Sequence, residues 1–392
     1  MAYPKPFKAN LPARVVHVVG RMDRGGVETW LINLLKNFDP SHIRMDIIVH
    51  SRLPGAYDDE ARTLGAAIIP VSGPANPLQY VPALYRALRQ HGPYDVIHSH
   101  VHHFSGIVLA VAAVAGIPLR ISHSHNDTRS VERQGSLFRA AYLSGCRTLI
   151  KTYANACLAA SGEAAESLYG PRWNRSGVTR ILYCGVDAGQ FMKPVDAAAV
   201  RRSLGIQADA FVLGHVGRFE AQKNHSFLLE IFAEVHRVRS NSRLLLIGSG
   251  KLEPELRGKC STLGISGGVI FAGLRPDVPR LMLGAMDCFV FPSLYEGLPL
   301  ALVEAQAAGL PCVVSDKISA EAMIIPALIR SLPAGAGVDA WCNAIVNTSA
   351  AKYPNAAAEQ IGSSVLGIAS SASRLGALYS HGSVPGLMEC SS

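Results

Sequence analysis

Short runs of β-branched and aliphatic residues alternate along the chain with longer stretches whose apolar positions recur at helical spacing. RVVHVVG (14–20) reads as a strand and VETWLINLLKNF (27–38) as the helix after it. MDIIVHS (45–51), a helical DDEARTLG, AAIIPV (66–71) and a helical LQYVPALYRALRQHG continue the alternation. DVIHSH (95–100) is a strand ending in polar residues, a helix follows it through Ala115, and PLRISHSH (118–125) is the next strand. After ILYCGVD (181–187) and a stretch containing Pro194 the pattern starts again. Its second set of strands is FVLGHVG (211–217), RLLLIG (243–248), GVIFAG (268–273), DCFVFPS (287–293) and PCVVSD (311–316). Strands and helices joined by short links predict doubly wound parallel sheets. Ligands of such sheets lie outside the carboxyl ends of the strands. The restart predicts two α/β domains with a cleft between them, over residues 1–190 and 191–365. A tail over 366–392 has one helix signal, read as returning to the first domain, and the Ala/Ser-rich segment 349–371 is poorly patterned.

Composition narrows the class. At ~100–200 residues per domain, 392 residues accommodate two full cores. Hydrophobic residues at 49% and charged residues at 17% exclude a disordered chain. The net charge of +8 attracts anionic partners. No Lys/Arg block and no RNP-like aromatic signature accompanies it, so nucleic acid is not an expected partner. The eight cysteines (146, 157, 184, 260, 288, 312, 342 and 390) form no C-x-x-C pair. They read as free thiols of a reducing, cytoplasmic compartment. The first twenty residues lack the apolar core of a signal peptide. The longest apolar run, Gly106 to Leu119, falls short of the ~18 residues of a spanning helix and reads as a buried crossover helix.

Polar clusters fall at the ends of the predicted strands. Tyr295-Glu296-Gly297-Leu298-Pro299-Leu300-Ala301-Leu302-Val303-Glu304 follows DCFVFPS. Pro299 suits the first position of a helix, Gly309 the position past its end, and Pro311 comes after. First-turn amides of such a helix bind phosphate through unsatisfied donors and the helix dipole. Glu296 in the loop and Glu304, about one and a half turns inside, bracket that end and suit the hydroxyls of a nucleotide-linked sugar. The plain alternative is an exposed loop acid and a surface helix acid. Gly217-Arg218-Phe219-Glu220-Ala221-Gln222-Lys223-Asn224 ends the first strand of the second domain. Its guanidinium fork and its ammonium suit a diphosphate, against the alternative of a solvated turn. Gly25 and Gly26, in GRMDRGGVE, let backbone approach a ligand closely, or make a tight turn. Their spacing from Gly20 is not G-x-G-x-x-G, which argues against a dinucleotide fingerprint. IGSG (247–250) is a similar strand-to-helix turn.

Histidines form a further cluster. His98, His100, His102 and His103 follow one strand, and His123 and His125, with Asp127, end the next. All are expected on the cleft side of the first sheet. Imidazole is a common zinc ligand, but HSHVHH and HSHND do not have zinc-site spacing, and no metal is expected. A hydrogen bond to a sugar hydroxyl or phosphate, or an ordinary polar loop position, remain the two uses.

Together these residues resemble glycosyltransferase family 4, retaining enzymes of GT-B architecture, in which two Rossmann-like doubly wound parallel-sheet domains face across a cleft. The E-x7-E element is Glu296 to Glu304, and the Gly-Arg…Lys element is Gly217, Arg218 and Lys223. GGVE (25–28) is similar to the first-domain glycine loop. YDVIHSH, ILYCGVD, LLLIGSG, FAGLRPDVPRLM and FPSLYEGLPLALVEAQAAGLPCVVSD occur in the family's order. HSHND and SDKISAEA have counterparts in the exopolysaccharide or capsule branch. The resemblance implies that Arg218 and Lys223 hold the donor diphosphate, aided by amides near Leu298, Leu300 and Ala301. It implies that Glu304 binds ribose, that Glu296 contacts the donor sugar, and that Arg275 lies where a loop meets the base. His125 is the implied sugar contact and His123 its rival, while Gly25 and Gly26 line the donor and acceptor side. No cofactor and no metal are implied beyond a UDP- or GDP-sugar co-substrate. The implied acceptor is a saccharide or lipid-linked saccharide, with peripheral contact to anionic membrane at the inner face of the cell. Cys184 departs from the family's usual Asn. The segment past Asp316 lacks a G-L-L-V-P-like loop, and the chain after about 350 matches poorly.

Two other readings stay open on sequence alone. A nucleotide-sugar epimerase of this architecture would need no acceptor. A non-catalytic subunit would keep the fold without needing Glu296, Arg218, Lys223 and Glu304.

Overall fold

The computed structural model describes residues 12–71, 76–132, 136–175, 177, 179–333, 335–348 and 354–382. Cys390 and the end of the tail lie outside them. The chain forms two compact units, Met1–Gly185 with Ile368–Ser392, and Val186–Gly367. The first division thus comes a few residues before position 190. The second comes at 367/368, so the last helix belongs to the first unit.

The first unit runs β1 (Ala13–Val19), α1 (Gly26–Asn37), β2 (Ile43–Val49), α2 (Asp58–Thr63), β3 (Ile68–Pro70), α3 (Pro77–His91) and β4 (Val96–Ser99). It continues α4 (Ser105–Val114), β5 (Leu119–Ser124), α5 (Arg129–Glu132), α6 (Leu137–Tyr153), β6 (Ala156–Ala159), α7 (Gly162–Tyr169) and β7 (Thr179–Ile181). Its seven strands are parallel in the order β3-β2-β1-β4-β5-β6-β7. Strand alternation sends Val16, Val18 and Ile97 to a core shared with α3 and α4. It sends His17 and His98, paired in register on β1 and β4, to the opposite face. There α1 buries Trp30, whose indole Nε1 donates to Ser371 Oγ at 2.8 Å on the last helix. Local signals start the helices as expected: Asn76 accepts from the Leu78 amide ahead of α3, with Pro77 in the first turn. The apolar run 106–119 supplies most of α4 and the first residue of β5. It buries its sheet side, but Val114 on its outer side is 77% exposed, so the helix is not enclosed as expected.

The second unit runs α8 (Ala197–Ser203), β8 (Phe211–Val216), α9 (His225–Val238), β9 (Ser242–Ile247), α10 (Glu253–Thr262), β10 (Val269–Phe271) and α11 (Val278–Gly284). It continues β11 (Cys288–Phe291), α12 (Leu300–Ala307), β12 (Cys312–Ser315), β13 (Ile329–Leu332), α13 (Val338–Val346) and α14 (Pro354–Ser363). Six parallel strands lie in the order β10-β9-β8-β11-β12-β13. The last helix of the chain, α15 (Ile368–His381), belongs to the first unit and packs on α1 and β1. The poorly patterned segment 349–371 therefore holds α14 and the start of α15 in its described part.

Candidate functional site

In the second unit the strand order reverses between β8 and β11. Open α/β sheets take ligands at such a reversal, outside the carboxyl ends of the strands. One loop carries Gly217, Arg218 and Lys223, and the other carries Glu296 and leads into α12. The two loops are stitched together. Lys223 Nζ donates to Glu296 Oε1 at 2.7 Å, and Gln222 Nε2 donates to Glu296 Oε2 at 3.2 Å and to the Tyr295 carbonyl at 2.9 Å. The Leu294 amide donates to the Gln222 carbonyl at 2.9 Å. Asn224, in the left-handed region at φ +55°, turns the chain into α9 and donates from Nδ2 to the Pro292 carbonyl at 3.3 Å. Asn is one of the few side chains that adopt this conformation readily. Glu296 is only 8% exposed, which disposes of the loop-acid alternative. Gln222 and Asn224 lay inside the quoted motif, but nothing local to them signals partners more than sixty residues away.

Arg218 is different. Its side chain is 61% exposed and touches Glu220 Oε1 at 3.3 Å, a surface pair too weak to hold it. The guanidinium is thus free to turn onto an anion. Behind the loop, the backbone of Gly217 passes so close to Gly248 of the IGSG turn that a Cβ on Gly248 would stand 2.0 Å from the Gly217 carbonyl oxygen. Close packing of two strand-end loops accounts for that glycine. Arg275, in the loop between β10 and α11, is held by Asp277 through bonds of 2.8 and 2.9 Å.

Helix α12 begins one residue later than the sequence predicts. Pro299 is its cap (φ −78°, ψ 87°), and Leu300 is the first helical residue. A proline fixes φ but not ψ, and here ψ lies outside the helical range, so Pro299 is only half inside the helix. The amides of Leu300 and Ala301 have no acceptor within the helix and sit beside the partly exposed Leu298. Gly309, at φ +67°, stops the helix as expected. Glu304 is partly exposed, and its carboxylate has no hydrogen-bond or ion-pair partner among the described residues. Loss of water around it raises its pKa to about 7. That leaves a carboxyl group with unused acceptor capacity a turn inside an anion-attracting helix end.

In the first unit the corresponding reversal lies between β1 and β4. Gly25 caps α1 and the exposed Gly26 is its first residue. The structure separates the six histidines. His102 and His103 turn away after β4, and His103 Nε2 meets Glu132 Oε1 at 2.7 Å, with Arg147 on the other oxygen at 2.7 Å. Asp127 is gripped by Arg129. The other four join His17, which the cluster read from sequence did not include. Spacing of two along β4 and β5 puts His98, His100, His123 and His125 on the same face as His17. Not all of them reach an open side: His98 and His123 are fully buried, and His100 and His125 are partly exposed.

These rings form one continuous chain. Cys184 Sγ lies 3.5 Å from His125 Nδ1, His125 Nε2 lies 2.8 Å from His100 Nδ1, and His100 Nε2 lies 2.9 Å from His17 Nδ1. His17 Nε2 lies 3.4 Å from the Tyr379 hydroxyl, which is 2.7 Å from His98 Nδ1, and His98 Nε2 is 3.1 Å from His123 Nδ1. With one proton per imidazole, each ring donates through one nitrogen and accepts through the other, and the Tyr379 hydroxyl, with its single proton, accepts from at least one of its two ring neighbours. Burial keeps the rings neutral: it lowers His17 and His125 to about 3 and holds His98, His100 and His123 well below their ordinary value. Ring nitrogens of His17, His98 and His100, and of His100, His123 and His125, come within 4.8 Å of one another, a spacing a metal can use. The pairwise bonds satisfy them without one, except at His123 Nε2, which is buried with no hydrogen-bond partner among the described residues. Both nitrogens of His125 are engaged, so a ligand reaching it displaces the weak thiol contact of Cys184.

Comparison with known proteins follows this geometry. The family model described as "Glycosyltransferase Family 4" matches residues 24–190, and that described as "Glycosyl transferases group 1" matches residues 210–350. The chain is 34% identical over 345 residues to the Bacillus subtilis protein named "Putative glycosyltransferase EpsF", covering 87% of this chain and 89% of that one. It is 27% identical over 283 residues to the UDP-Gal:alpha-D-GlcNAc-diphosphoundecaprenol alpha-1,3-galactosyltransferase of Escherichia coli, covering 70% of each. Among solved structures it is similar to Anabaena HepE in complex with UDP-glucose, with a TM-score of 0.72 at 19% identity over 93% of this chain and 95% of that one. WaaG, a glycosyltransferase involved in lipopolysaccharide biosynthesis, gives a TM-score of 0.71 at 16% identity, covering 93% and 99%. The fold is accordingly the GT-B one of two Rossmann-like units. With both halves matched and one relative aligned along nearly the whole chain, this protein belongs to the family 4 glycosyltransferases.

Proposed function

We propose that the chain transfers a hexose, with retention of configuration, from a nucleoside-diphosphate sugar to a saccharide or lipid-linked saccharide during exopolysaccharide or capsule synthesis. The observation that carries this reading is the Lys223–Glu296 pair, 2.7 Å long and locked by Gln222 at the strand-order reversal. It sets a cation for diphosphate beside a carboxylate for sugar hydroxyls, ahead of the free amides of Leu300 and Ala301. Arg218 closes onto the phosphates from the surface, and Glu304 takes the ribose hydroxyls. The bond between the anomeric carbon and the diphosphate oxygen breaks as the acceptor oxygen bonds on the same face. The acceptor proton passes to a phosphate oxygen of the leaving diphosphate. Fixed positive charge and helix amides stabilise that leaving group, so the reaction is proposed to need no metal. His125 and the Gly25–Gly26 turn belong to the donor-sugar and acceptor side, and the loop of Arg275 to the base.

UDP-sugars come first as donors, because the Escherichia coli relative is named for UDP-Gal and HepE was solved with UDP-glucose; GDP-sugars follow. Purified protein, incubated with each donor and a diphospho-lipid-linked sugar acceptor in EDTA, should release nucleoside diphosphate and form an α-linked product by NMR. Release only after adding Mg²⁺, or a β-linked product, would overturn the metal-free retaining mechanism. Isomerised donor without acceptor would point to an epimerase.

A further inference from the structure

Strand β8 buries a histidine that the reaction has not used. His215 is completely buried, and its Nδ1 lies 2.9 Å from the Val290 carbonyl of β11. A carbonyl only accepts, so Nδ1 carries the proton. Burial keeps the ring neutral, and Nε2 is left with a bare lone pair. That nitrogen is buried and has no hydrogen-bond partner among the described residues. An unfilled acceptor in the interior costs stability and asks for an explanation.

Two sides of the ring offer no donor. Phe291 stacks on it with centroids 5.4 Å apart and planes 24° apart. His225 packs edge-on at 4.7 Å, and both of its own nitrogens lack partners among the described residues. On a third side lies Gly217. A Cβ built there would stand 3.1 Å from His215 Nε2 and 3.2 Å from Lys223 Cε. The bare nitrogen and the lysine stem therefore border the same small space. Gly217 does not have a positive φ, so its backbone does not demand glycine; that space does.

Lys223 has donors to spare. An ammonium carries three N–H groups, and among the described residues Nζ makes one hydrogen bond, to Glu296. It also lies 4.9 Å from the centroid of Phe291, the ring on which His215 stacks. A neutral acceptor is the right kind for a remaining N–H. It fixes the direction of the ammonium and leaves its charge for the diphosphate, where another carboxylate would neutralise it.

We propose that His215 Nε2 accepts an N–H of Lys223 when a nucleoside diphosphate is bound, which makes His215 a positioning residue for the cation that holds the diphosphate. As Glu296 takes up the sugar hydroxyls, the last bonds of the lysine turn its ammonium into the space beside Gly217. This rests on the donor site proposed above.

Two substitutions separate position from bulk. His215→Asn keeps an N–H for Val290 but puts no acceptor where Nε2 stood, whereas His215→Gln reaches that place with its amide oxygen. Calorimetry with UDP and UMP, and with GDP and GMP, measures binding to each, and urea unfolding checks the fold. His215→Asn should weaken diphosphate binding by about tenfold or more, monophosphate binding much less, and His215→Gln should restore most of the loss. In the Lys223→Met background His215→Asn should add nothing. Comparing two nucleotides on one protein keeps a general loss of stability from imitating this result. In wild type labelled with ¹⁵N-histidine, the unprotonated Nε2 resonance of His215 should move upfield on adding the diphosphate that binds. No loss in His215→Asn, equal losses for diphosphate and monophosphate, His215→Gln no better than His215→Asn, a full further loss beside Lys223→Met, or an unmoved resonance would each overturn the inference and leave the donor site standing. Wild type that binds neither UDP nor GDP would overturn the donor site, and the inference with it.

Discussion

Lys223 and Glu296 face each other with side chains only 16% and 6% exposed. Removing one partner strands a buried charge, whereas removing both strands none. Lys223→Met and Glu296→Gln should each destabilise the protein by about 3 kcal/mol. The double variant should recover much of that loss in urea unfolding, yet none of the transfer activity. Additive losses in the double variant would mean that the pair is not coupled. Glu304 behaves oppositely with pH. Its folded pKa, about 7, stands above the ordinary value of 4.5, so the folded state holds its proton more tightly than the unfolded chain does. The stability this brings is full below pH 4.5 and is lost as pH rises through about 7. Glu304→Gln should therefore melt with wild type at low pH and progressively above it up to about pH 9, while losing donor affinity. A Tm difference independent of pH would contradict this. The residue types at both positions were legible in E-x7-E and Arg…Lys, but the bond between Lys223 and Glu296 was not. Only their sheet neighbours, β8 and β11, bring the two loops together.

At the scale of elements, periodicity served long segments and failed short ones. All five strands anticipated in the second unit are present, within a few residues of their expected bounds. Missing from the expectation were β7 and β13, of three and four residues, too short to show alternation. Helix α15 read as a weak signal because its apolar face, with Leu375, Leu378 and Tyr379, is interrupted by Ser and Gly. What holds it is tertiary: Ser371 accepts from Trp30, and Tyr379 bonds His98 inside the histidine chain. Tyr379→Phe leaves His98 Nδ1 and His17 Nε2 without that partner, at a cost of about 1–3 kcal/mol. Slowly exchanging imidazole N–H resonances should shift or vanish in the variant's NMR spectrum. An unchanged spectrum and Tm would show that the hydroxyl does not join the chain.

The whole molecule inherits a pH response from those buried rings. His17, His98, His100, His123 and His125 all have pKa values below their ordinary 6.5 when folded. Below about pH 6.5 the unfolded chain binds protons that the folded chain refuses, so stability is present above that value and falls as pH drops. Tm should decline steeply between about pH 7 and 5, with net proton uptake on unfolding. His17→Gln/His100→Gln should flatten the slope while lowering Tm at neutral pH. A wild-type Tm constant across that range would show the rings to be solvated or charged. Deleting residues 368–392 would uncover the histidine face of the first sheet and should leave the first unit unable to melt cooperatively, while Val186–Gly367 keeps its own transition.

Local pattern by itself determined the strand–helix alternation, its restart midway, and the kinds of side chain that leave the strand ends: glycines, an Arg and a Lys, two acids and a helix start. Each of these depends on residues a few positions apart. Tertiary structure alone decided the pairings. Lys223 meets Glu296 across 73 positions, His17 meets His100 across 83, and His98 meets Tyr379 across 281. A chain segment encodes its own period and which face it buries. Which loop lies beside it is set by sheet order and crossover, and those follow from packing the whole unit.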